Sequence, residues 1–294
     1  MMTILQYFVD AVALGCLFAL AAIGVGIVFG VMRLANFAHG EFIMIGAYAL
    51  LMFSSLPWEI TWLLALCFVA LVAVLTERVA FRWLRSADSS TLLVSSFAVS
   101  ILLQNAVVIA FRSRPRAVPL PAFVGESLDI LGLRLPVVSL LAIVLAVVCV
   151  AGLVVFFKRT SLGLQMRAAA EDFRMAQLLG TRANRVVAAA FAISGILACT
   201  VSILITARSG TVSPTMGLTP VLFAFVAVTI GGLGNLVGSA VGGFLVGFIT
   251  IAMQAVLPPG LSSYRDAFTF LAVIAILIFR PQGLLPSIAV EERV

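Results

Sequence analysis

The chain has little charge and an excess of apolar residues. Only 10% of its 294 residues are charged and 63% are hydrophobic, whereas an ordinary soluble domain has about 25% charged and about 45–50% apolar residues. One core cannot bury so many apolar side chains beneath so few charges, so the composition excludes a soluble enzyme of the usual layered kind. It also excludes a disordered chain, which would be poor in apolar residues. The composition predicts a membrane protein.

Residues that carry catalysis or bind metals are equally scarce. Lysine occurs once, at Lys158, and histidine once, at His39. A phosphate-binding loop needs a lysine directly after its glycines, and Lys158 follows Phe157 instead, so the chain has no such ATPase loop. The four cysteines lie in apolar runs without a CxxC pair, and no GxSxG, HExxH or paired-carboxylate spacing stands out. We therefore expect no catalytic residue, no metal site and no cofactor in this chain.

The net charge of +6 comes from arginine, which supplies seventeen of the eighteen cations. The cations form short clusters between apolar runs, with no aromatic-interleaved basic stripe, so the positive-inside rule explains them better than nucleic-acid binding does. Twelve fall on one side of the predicted membrane topology and six on the other. The twelve are Arg33, Arg78, Arg82, Arg85, Lys158, Arg159, Arg167, Arg174, Arg182, Arg185, Arg280 and Arg293, and the six are Arg112, Arg114, Arg116, Arg134, Arg208 and Arg265. We expect the loop 158–185 and the C-terminus in the cytoplasm and the N-terminus outside.

Long charge-free stretches predict an all-α, polytopic membrane fold. A spanning helix needs about 20 mainly apolar residues, and the chain offers eight or nine such segments in a single transmembrane domain over 1–294, with the loop 158–185 within it. The first run lacks the basic start of a cleavable signal and is expected to be retained. The charge-free runs are 11–32, 42–58, 60–76, 89–111, 137–157 and 186–207, together with a stretch over 209–264 that is long enough for two spans. A last run, 266–279, carries Asp266 at its edge.

Two places predict an interrupted helix. Residues 33–41 place three ionisable side chains between apolar runs, and residues 231–243 contain six glycines. Non-helical backbone at membrane depth is tolerated only beside protein or a water-filled cavity, and one interruption in each half is typical of transporters built from repeated halves. The candidates for the translocation path are Asn36, His39, Glu41, Gln104, Asn105, Gly232 and Asn235.

Each of these candidates also has a structural interpretation. The segment 33–41 has the features of an interfacial turn with solvated polar groups. Gln104 and Asn105 lie deep in the run 89–111, where hydrogen bonding between helices is the first explanation and pore lining the second. Glycines such as Gly232 allow close helix packing or a tight turn.

The loop 158–185 contains a predicted amphipathic helix over Arg167 to Leu179, ended by Gly180. Its apolar positions fall on one face with charged residues beside them. Such a helix either docks into a groove on a soluble partner or lies on lipid headgroups, and the pattern favours neither. The apolar face consists of Ala169, Phe173, Ala176 and Leu179.

Four ordered segments resemble the LivH-type permease subunits of branched-chain amino acid ABC importers. They are GCLFALAAIGVGIVFGVMRLANFAHGEFIMIGAY at 15–48, TSLGLQMRAAAEDFRMAQLLG at 160–180, GGLGNLVGSAVGGFLVG at 231–247 and IFRPQGLLP at 278–286. The loop reads AAAED where the broader importer pattern has EAA. The resemblance implies that this loop is the coupling element that contacts the ATPase, and it favours docking over lipid binding. The implied coupling residues are Ala169, Glu171, Asp172, Ala176 and Gly180.

The resemblance also implies a division of labour in a bacterial inner membrane. A periplasmic binding protein captures the solute, this chain and a second homologous permease form the path through the lipid bilayer, and two cytoplasmic ATPases bind the ATP. No nucleic acid is involved. Branched-chain amino acids are the expected cargo, with other amino acids, urea or amides as related small polar solutes. An ion- or proton-coupled secondary transporter is the alternative that His39 and Glu41 suggest, and a scaffold without a path is a third.

Overall fold

The computed structural model describes residues 2–85, 87–130, 133–281 and 283–285. Over these residues the chain is built almost entirely of helices, with two short antiparallel β-ribbons, β1 with β4 and β2 with β3. The helices are α1 (Met2–Met32), α2 (His39–Met52), α3 (Trp58–Thr76), α4 (Ser89–Phe111), α5 (Val137–Arg159), α6 (Ser161–Glu171), α7 (Phe173–Leu178), α8 (Ala183–Ser209), α9 (Leu218–Gly231), α10 (Leu236–Val256) and α11 (Arg265–Phe279). The strands are β1 (Arg116–Ala117), β2 (Ser127–Ile130), β3 (Leu133–Pro136) and β4 (Thr211–Val212).

Seven helical segments of the described chain are long and apolar enough to cross a membrane, and two apolar helices are shorter. The short ones, α2 and α9, have 14 residues each and are about 21 Å long, against about 30 Å for the hydrocarbon core. The predicted all-α polytopic fold with eight or nine apolar helices is thus confirmed. It has seven long helical segments and two helices that we call half-length, because their 14 residues are about half the 31 of α1 or the 27 of α8. The seven segments are Leu5–Met32, Trp58–Leu84, Ser89–Phe111, Val137–Arg159, Ala183–Ser209, Leu236–Val256 and Pro259–Phe279.

Both predicted interruptions exist, but each is shorter than the sequence suggested. The first covers only 33–38, because α2 already begins at His39. The second covers only 232–235, because the side chain of Asn235 accepts a hydrogen bond from the Gly238 N–H and starts α10. A third break covers 210–217 between α8 and α9, after Gly210 ends α8 in the left-handed conformation. The run ending at 207 predicted a boundary here but not an interruption of this length.

Two units of the chain repeat the same order of elements. Each has a long helix, a break, a 14-residue helix, a short turn and another long helix. The first unit is α1, α2 and α3, and the second is α8, α9 and α10. The packing partners also correspond, because α1 contacts α10 and α9 while α8 contacts α3 and α2. This order supports the hypothesis of repeated halves, although their sequences are not visibly similar.

The two units have opposite orientations in the bundle. Gly24 of α1 lies against Leu197 of α8, and Leu14 lines the same cavity as Arg208, so α1 and α8 are antiparallel. Glycines also bring α1 close to α10, since a β-carbon on Gly247 would lie 2.4 Å from the Gly15 Cα. The buried core lies along α1 and α8. Of their most apolar residues, 83% and 72% are buried inside the protein, compared with 17% for α4 and for α5.

The loops assigned to the cytoplasm meet at one end of the bundle. Gly30 of α1 lies near Ala170 of α6 and Gly234, and Arg85 contacts Asn184 at the start of α8. At the other end, Arg116 in β1 pairs with Val212 in β4, and β3 contacts α1. Arg293, which was counted with the cytoplasmic cations, lies outside the described residues, as do Gln282 and Pro286 of the segment 278–286.

Candidate functional site

The N-terminal ends of the two half-length helices meet inside the bundle. Gly40 in the first turn of α2 touches Gly217, the residue before α9, and it also lies against Val221. A β-carbon on Gly217 would lie 1.8 Å from the Gly40 carbonyl oxygen, so only glycine permits this approach. The N–H groups of His39, Gly40 and Glu41 already donate to the carbonyl oxygens of Asn36, Phe37 and Ala38, so each of these ends contributes the positive end of a helix dipole. Two such ends therefore face each other at this junction.

Buried polar side chains lie beside the junction. His39, the first residue of α2, is fully buried, and its Nδ1 lies 2.9 Å from the Ser194 hydroxyl on α8. Asn36 is also fully buried, and its Oδ1 accepts a hydrogen bond from the Ala38 N–H at 3.1 Å. The Nε2 of His39 and the Nδ2 of Asn36 have no hydrogen-bond partner among the described residues. Buried polar atoms are usually paired, and six further buried side-chain atoms of the described residues, among them the hydroxyl oxygens of Tyr48 and Ser202, share this property.

Helix α4 presents a line of polar side chains to the breaks 33–38 and 210–217. The Ser96 hydroxyl lies 3.1 Å from the Ala35 carbonyl oxygen, and the Ser100 hydroxyl donates to Glu41 Oε1 at 2.8 Å. One turn further, Gln104 Nε2 donates to the carbonyl oxygen of Pro214 at 3.2 Å. Spacings of four residues place the three side chains on one face of the helix. This α4 polar line, made of Ser96, Ser100 and Gln104, satisfies backbone and carboxyl groups that lipid cannot.

Aromatic packing fixes the first break between the two units. The ring of Phe37 stacks on Phe97 of α4 at 4.1 Å between centroids and on Phe225 of α9 at 4.3 Å. Stacked rings at these distances contribute about 0.5–1.5 kcal/mol beyond the area they bury. Phe37 therefore attaches the segment 33–38 to a helix of the other unit as well as to α4.

Comparison with known proteins identifies the family. The family model described as "Branched-chain amino acid transport system / permease component" matches residues 7–277. The chain belongs to this permease family. It is 33% identical to the high-affinity branched-chain amino acid transport system permease protein BraD of Pseudomonas aeruginosa, over 98% of this chain and 97% of that protein. It is 32% identical to the LivH permease protein of the same description from Escherichia coli K12, with the same coverage.

A more distant relative is the probable branched-chain amino acid transport permease protein LivH of Methanocaldococcus jannaschii, at 24% identity over 91% of this chain and 88% of that protein. The chain is accordingly a transport permease component and not an enzyme, and it is a multi-pass inner-membrane protein. The predicted resemblance, permease role and localisation are confirmed.

The permease fold brings together four of the seven path candidates and separates the other three. Asn36, His39, Glu41 and Gln104 surround the junction or its breaks. Asn105 is exposed and its side chain donates to the Ile101 carbonyl oxygen of its own helix. The remaining two candidates, Gly232 and Asn235, lie at the end of the bundle where α1 meets α6, and the Asn235 amide donates to the Leu285 carbonyl oxygen.

The loop 158–185 of the permease is formed by two helices, so the predicted single helix from Arg167 to Leu179 is wrong. The helix α6 begins earlier, at Ser161, because the Thr160 side chain caps it by accepting the Gly163 N–H at 3.0 Å. Asp172 then leaves the helical conformation and caps α7 by accepting the Met175 N–H at 2.9 Å. Short polar side chains compete with the backbone in this way and break helices.

The predicted coupling residues fall into two groups. Ala169 and Ala176 are each 3% exposed and belong to the buried core. Glu171, Asp172 and Gly180 are exposed, and Gly180 has a φ of +90° that suits glycine at a helix end. Of the predicted apolar face, Ala169 and Ala176 are buried while Leu179 is exposed, so its members do not share one environment. Three exposed apolar side chains form what we call the α7 apolar patch, made of Met175, Leu178 and Leu179.

Several residues of the site were not singled out from the sequence. Ser96 and Ser100 precede Gln104 at intervals of four in an apolar run, and this spacing was a usable signal for a polar helix face. Ser194, which bonds His39, is one hydroxyl in a long small-residue helix and gives no such signal. Arg85 was counted only as a topogenic charge, yet it contacts two helices.

Proposed function

We propose that this permease component forms the membrane path for branched-chain amino acids in an ABC importer. A periplasmic binding protein, a second homologous permease and two ATPases complete the assembly, and the ATPases bind the ATP, so this chain needs no cofactor. The choice of branched-chain amino acids as cargo is supported by relatives that are named branched-chain amino acid transport permeases and that match this chain over nearly its whole length.

The path runs beside the junction of α2 and α9. The proposal is supported by two helix N-termini that meet here, since transporters use the N-termini of interrupted helices to bind anionic groups such as a carboxylate. Next to them lie the buried Nδ2 of Asn36 and Nε2 of His39, which have no partner in the part of the chain that the structure describes. Two hydrogen bonds connect this region to α4. Glu41 of α2 accepts from Ser100, and Gln104 donates to the Pro214 carbonyl oxygen in the break 210–217. Contact between Gly40 and Gly217 closes this point in the structure, so passage requires the two helix ends to separate.

The coupling surface is the α7 apolar patch together with the acidic side chains of Glu171 and Asp172. The single observation that carries the ATPase assignment is the exposure of the patch, since Leu178 is 77% and Leu179 is 81% exposed at the cytoplasmic end. Buried Ala169 and Ala176 give the loop a fixed position on the body, and Gly180 ends it. An apolar helix end with acidic neighbours suits a groove on a soluble protein.

The experiment replaces Leu178 by Glu in the native transporter and isolates the complex through a tag on the ATPase. We expect the permease to be lost from the isolated complex and leucine uptake to stop, because a charge in an apolar contact is left without a partner. The matched control is Leu128→Glu, on the β2–β3 hairpin at the other end of the bundle, where the leucine is also exposed.

The control should keep the ATPase bound. ATPase retention in Leu178→Glu equal to that of the wild type would contradict the proposed surface. Uptake by the chain alone in vesicles without ATP, driven by a proton or sodium gradient, would contradict the importer assignment and favour a secondary transporter.

A further inference from the structure

Arg85 connects the cytoplasmic ends of three helices. Its guanidinium donates through Nη1 to the Asn184 side-chain oxygen at 2.6 Å and forms an ion pair through Nη2 with Glu77. The side chain of Glu77 is 2% exposed and that of Arg85 is 17% exposed. Charge-assisted bonds from a planar guanidinium fix direction as well as distance. Arg85 is therefore held between the end of α3 and the start of α8.

One partner of Arg85 lies directly after the cytoplasmic loop. Asn184 is the second residue of α8 and follows Gly180 by four positions. The backbone between them is ordered by hydrogen bonds, since the Thr181 N–H donates to the Ala176 carbonyl oxygen at 3.0 Å. A displacement of α7 is accordingly carried to Asn184 through very few rotatable bonds.

The other side of Arg85 leads directly to α4. Asp88, three residues after Arg85, is the residue before α4, and the Ala87 N–H donates to the Leu84 carbonyl oxygen at 2.9 Å. The α4 polar line then reaches both breaks, through the carbonyl oxygen of Ala35 and that of Pro214. A shift of α4 along its axis moves these contacts together, because they lie on one face of one helix.

The end of α3 has the geometry that this connection requires. Residues Glu77–Phe81 form a π-helical turn, a wide turn that is frequent at functional sites. Phe81 on this turn is fully buried and packs on Phe191 of α8, with ring centroids 5.5 Å apart. Glu77 is thereby fixed relative to α8, and Arg85 has a firm anchor on one side.

We propose that Arg85 is a positioning residue that transmits movement of the cytoplasmic loop to α4 and, through α4, to the junction of α2 and α9. This inference rests on the proposed function, because it assigns the route by which ATPase binding reaches the path. Arg85 itself contacts neither cargo nor ATPase in this scheme. Its role is to make the loop and α4 move together.

The test measures leucine transported per ATP hydrolysed by the assembled transporter in proteoliposomes. Asn184→Ala removes one bond at an exposed position, so we expect normal complex formation and ATP hydrolysis but a fall of about fivefold or more in transport per ATP, as for a lost charge-assisted hydrogen bond. Asn184→Asp keeps an acceptor for the guanidinium and should restore the ratio to within about twofold of the wild type. A structural role alone would not separate transport from hydrolysis.

Arg85→Lys should also lower the ratio, since one ammonium cannot reproduce the two-partner geometry of the guanidinium. The control is Arg82→Lys, an exposed arginine in the same turn, which should leave the ratio unchanged. Wild-type coupling in Asn184→Ala, or an equal loss in the Ala and Asp variants, would overturn the proposal.

A second measurement does not depend on the ATPase. In the isolated permease, the unfolding temperature of the Arg85→Lys, Asn184→Ala double variant should fall by less than the two single effects combined, because both remove the same contact. Additive effects would overturn the proposal even if the ATPase assignment stands. Failure of the ATPase to bind the wild-type permease would instead contradict the proposed function.

Discussion

Replacement of Gly217 by alanine tests the junction directly. The added β-carbon would lie 1.8 Å from the Gly40 carbonyl oxygen and 2.6 Å from the carbonyl carbon. Non-bonded carbon and oxygen need roughly 3.3 Å, so the two helix ends must move apart by about 1.5 Å, and closely packed interiors accept such shifts poorly. The backbone of Gly217 itself is unstrained, with a φ of −81°, so the effect is purely steric.

The expected cost follows from this overlap. Overpacking usually costs about 1–3 kcal/mol, and because the added carbon would meet backbone atoms of Gly40, we place this variant at the upper end, about 3 kcal/mol. At about 2–4 °C per kcal/mol for a chain of this size, the unfolding temperature of the detergent-solubilised permease should fall by about 6–12 °C. Uptake should fall as well, because the closed junction no longer forms.

The assay compares three substitutions of the same type. Gly40→Ala should cost less than Gly217→Ala, because its added carbon would lie 2.9 Å from Gly217. Gly152→Ala, on exposed α5 with no atom within 4 Å of the added carbon, should be neutral or slightly stabilising, since alanine favours helix over glycine. A Gly217→Ala permease with the wild-type unfolding temperature would refute the close approach of α2 and α9.

Three further substitutions separate contacts in other parts of the fold. Ser100→Ala leaves the buried Glu41 carboxyl without the hydroxyl that donates to it, so thermal unfolding should show a loss of about 1–3 kcal/mol; an unchanged unfolding temperature would argue against that contact. Asp172→Ala removes the cap of α7 and should cost about 1 kcal/mol and weaken ATPase retention, whereas Asp172→Asn keeps the cap; equal failure of both variants would point to a carboxylate contact with the ATPase. Asn235→Ala removes the cap of α10 and should lower stability by about 1 kcal/mol while uptake per folded molecule is preserved, and a specific loss of uptake would return this residue to the path.

The helix pattern was predictable because apolar length is a direct requirement of the bilayer. Polar residues inside apolar runs also predicted the breaks, since membrane-buried polar groups need protein partners. Asn36, His39 and Glu41 were found in this way. Their positions along the chain predict a cluster of polar groups near α2. The structure shows that α8 and α4 supply the hydrogen-bond partners of His39 and Glu41.

The partners themselves could not be predicted, because they depend on contacts between distant parts of the chain. Ser194 is 155 positions from His39, to which it is hydrogen-bonded. The Pro214 carbonyl oxygen, which accepts from the Gln104 amide, is 110 positions from Gln104. Arg208 predicted the end of the run 186–207, but the irregular segment 210–217 after it was not predicted, because it has neither charge nor a glycine cluster. The error in the cytoplasmic helix had a local cause, since alanine-rich propensity was given more weight than the capping preference of Asp172.

The α4 polar line has a consequence for biosynthesis. When α1, α2 and α3 leave the ribosome, the carbonyl of Ala35 and the carboxyl of Glu41 have no α4 beside them. Their partners Ser96 and Ser100 come 61 and 59 positions later in the chain. The first unit is therefore unsuited to free exposure to lipid until α4 has been made. The amide of Gln104 must wait still longer for Pro214. Insertion of this chain is thus expected to keep its first four helices together in a protected environment, and to release them only when the second unit arrives.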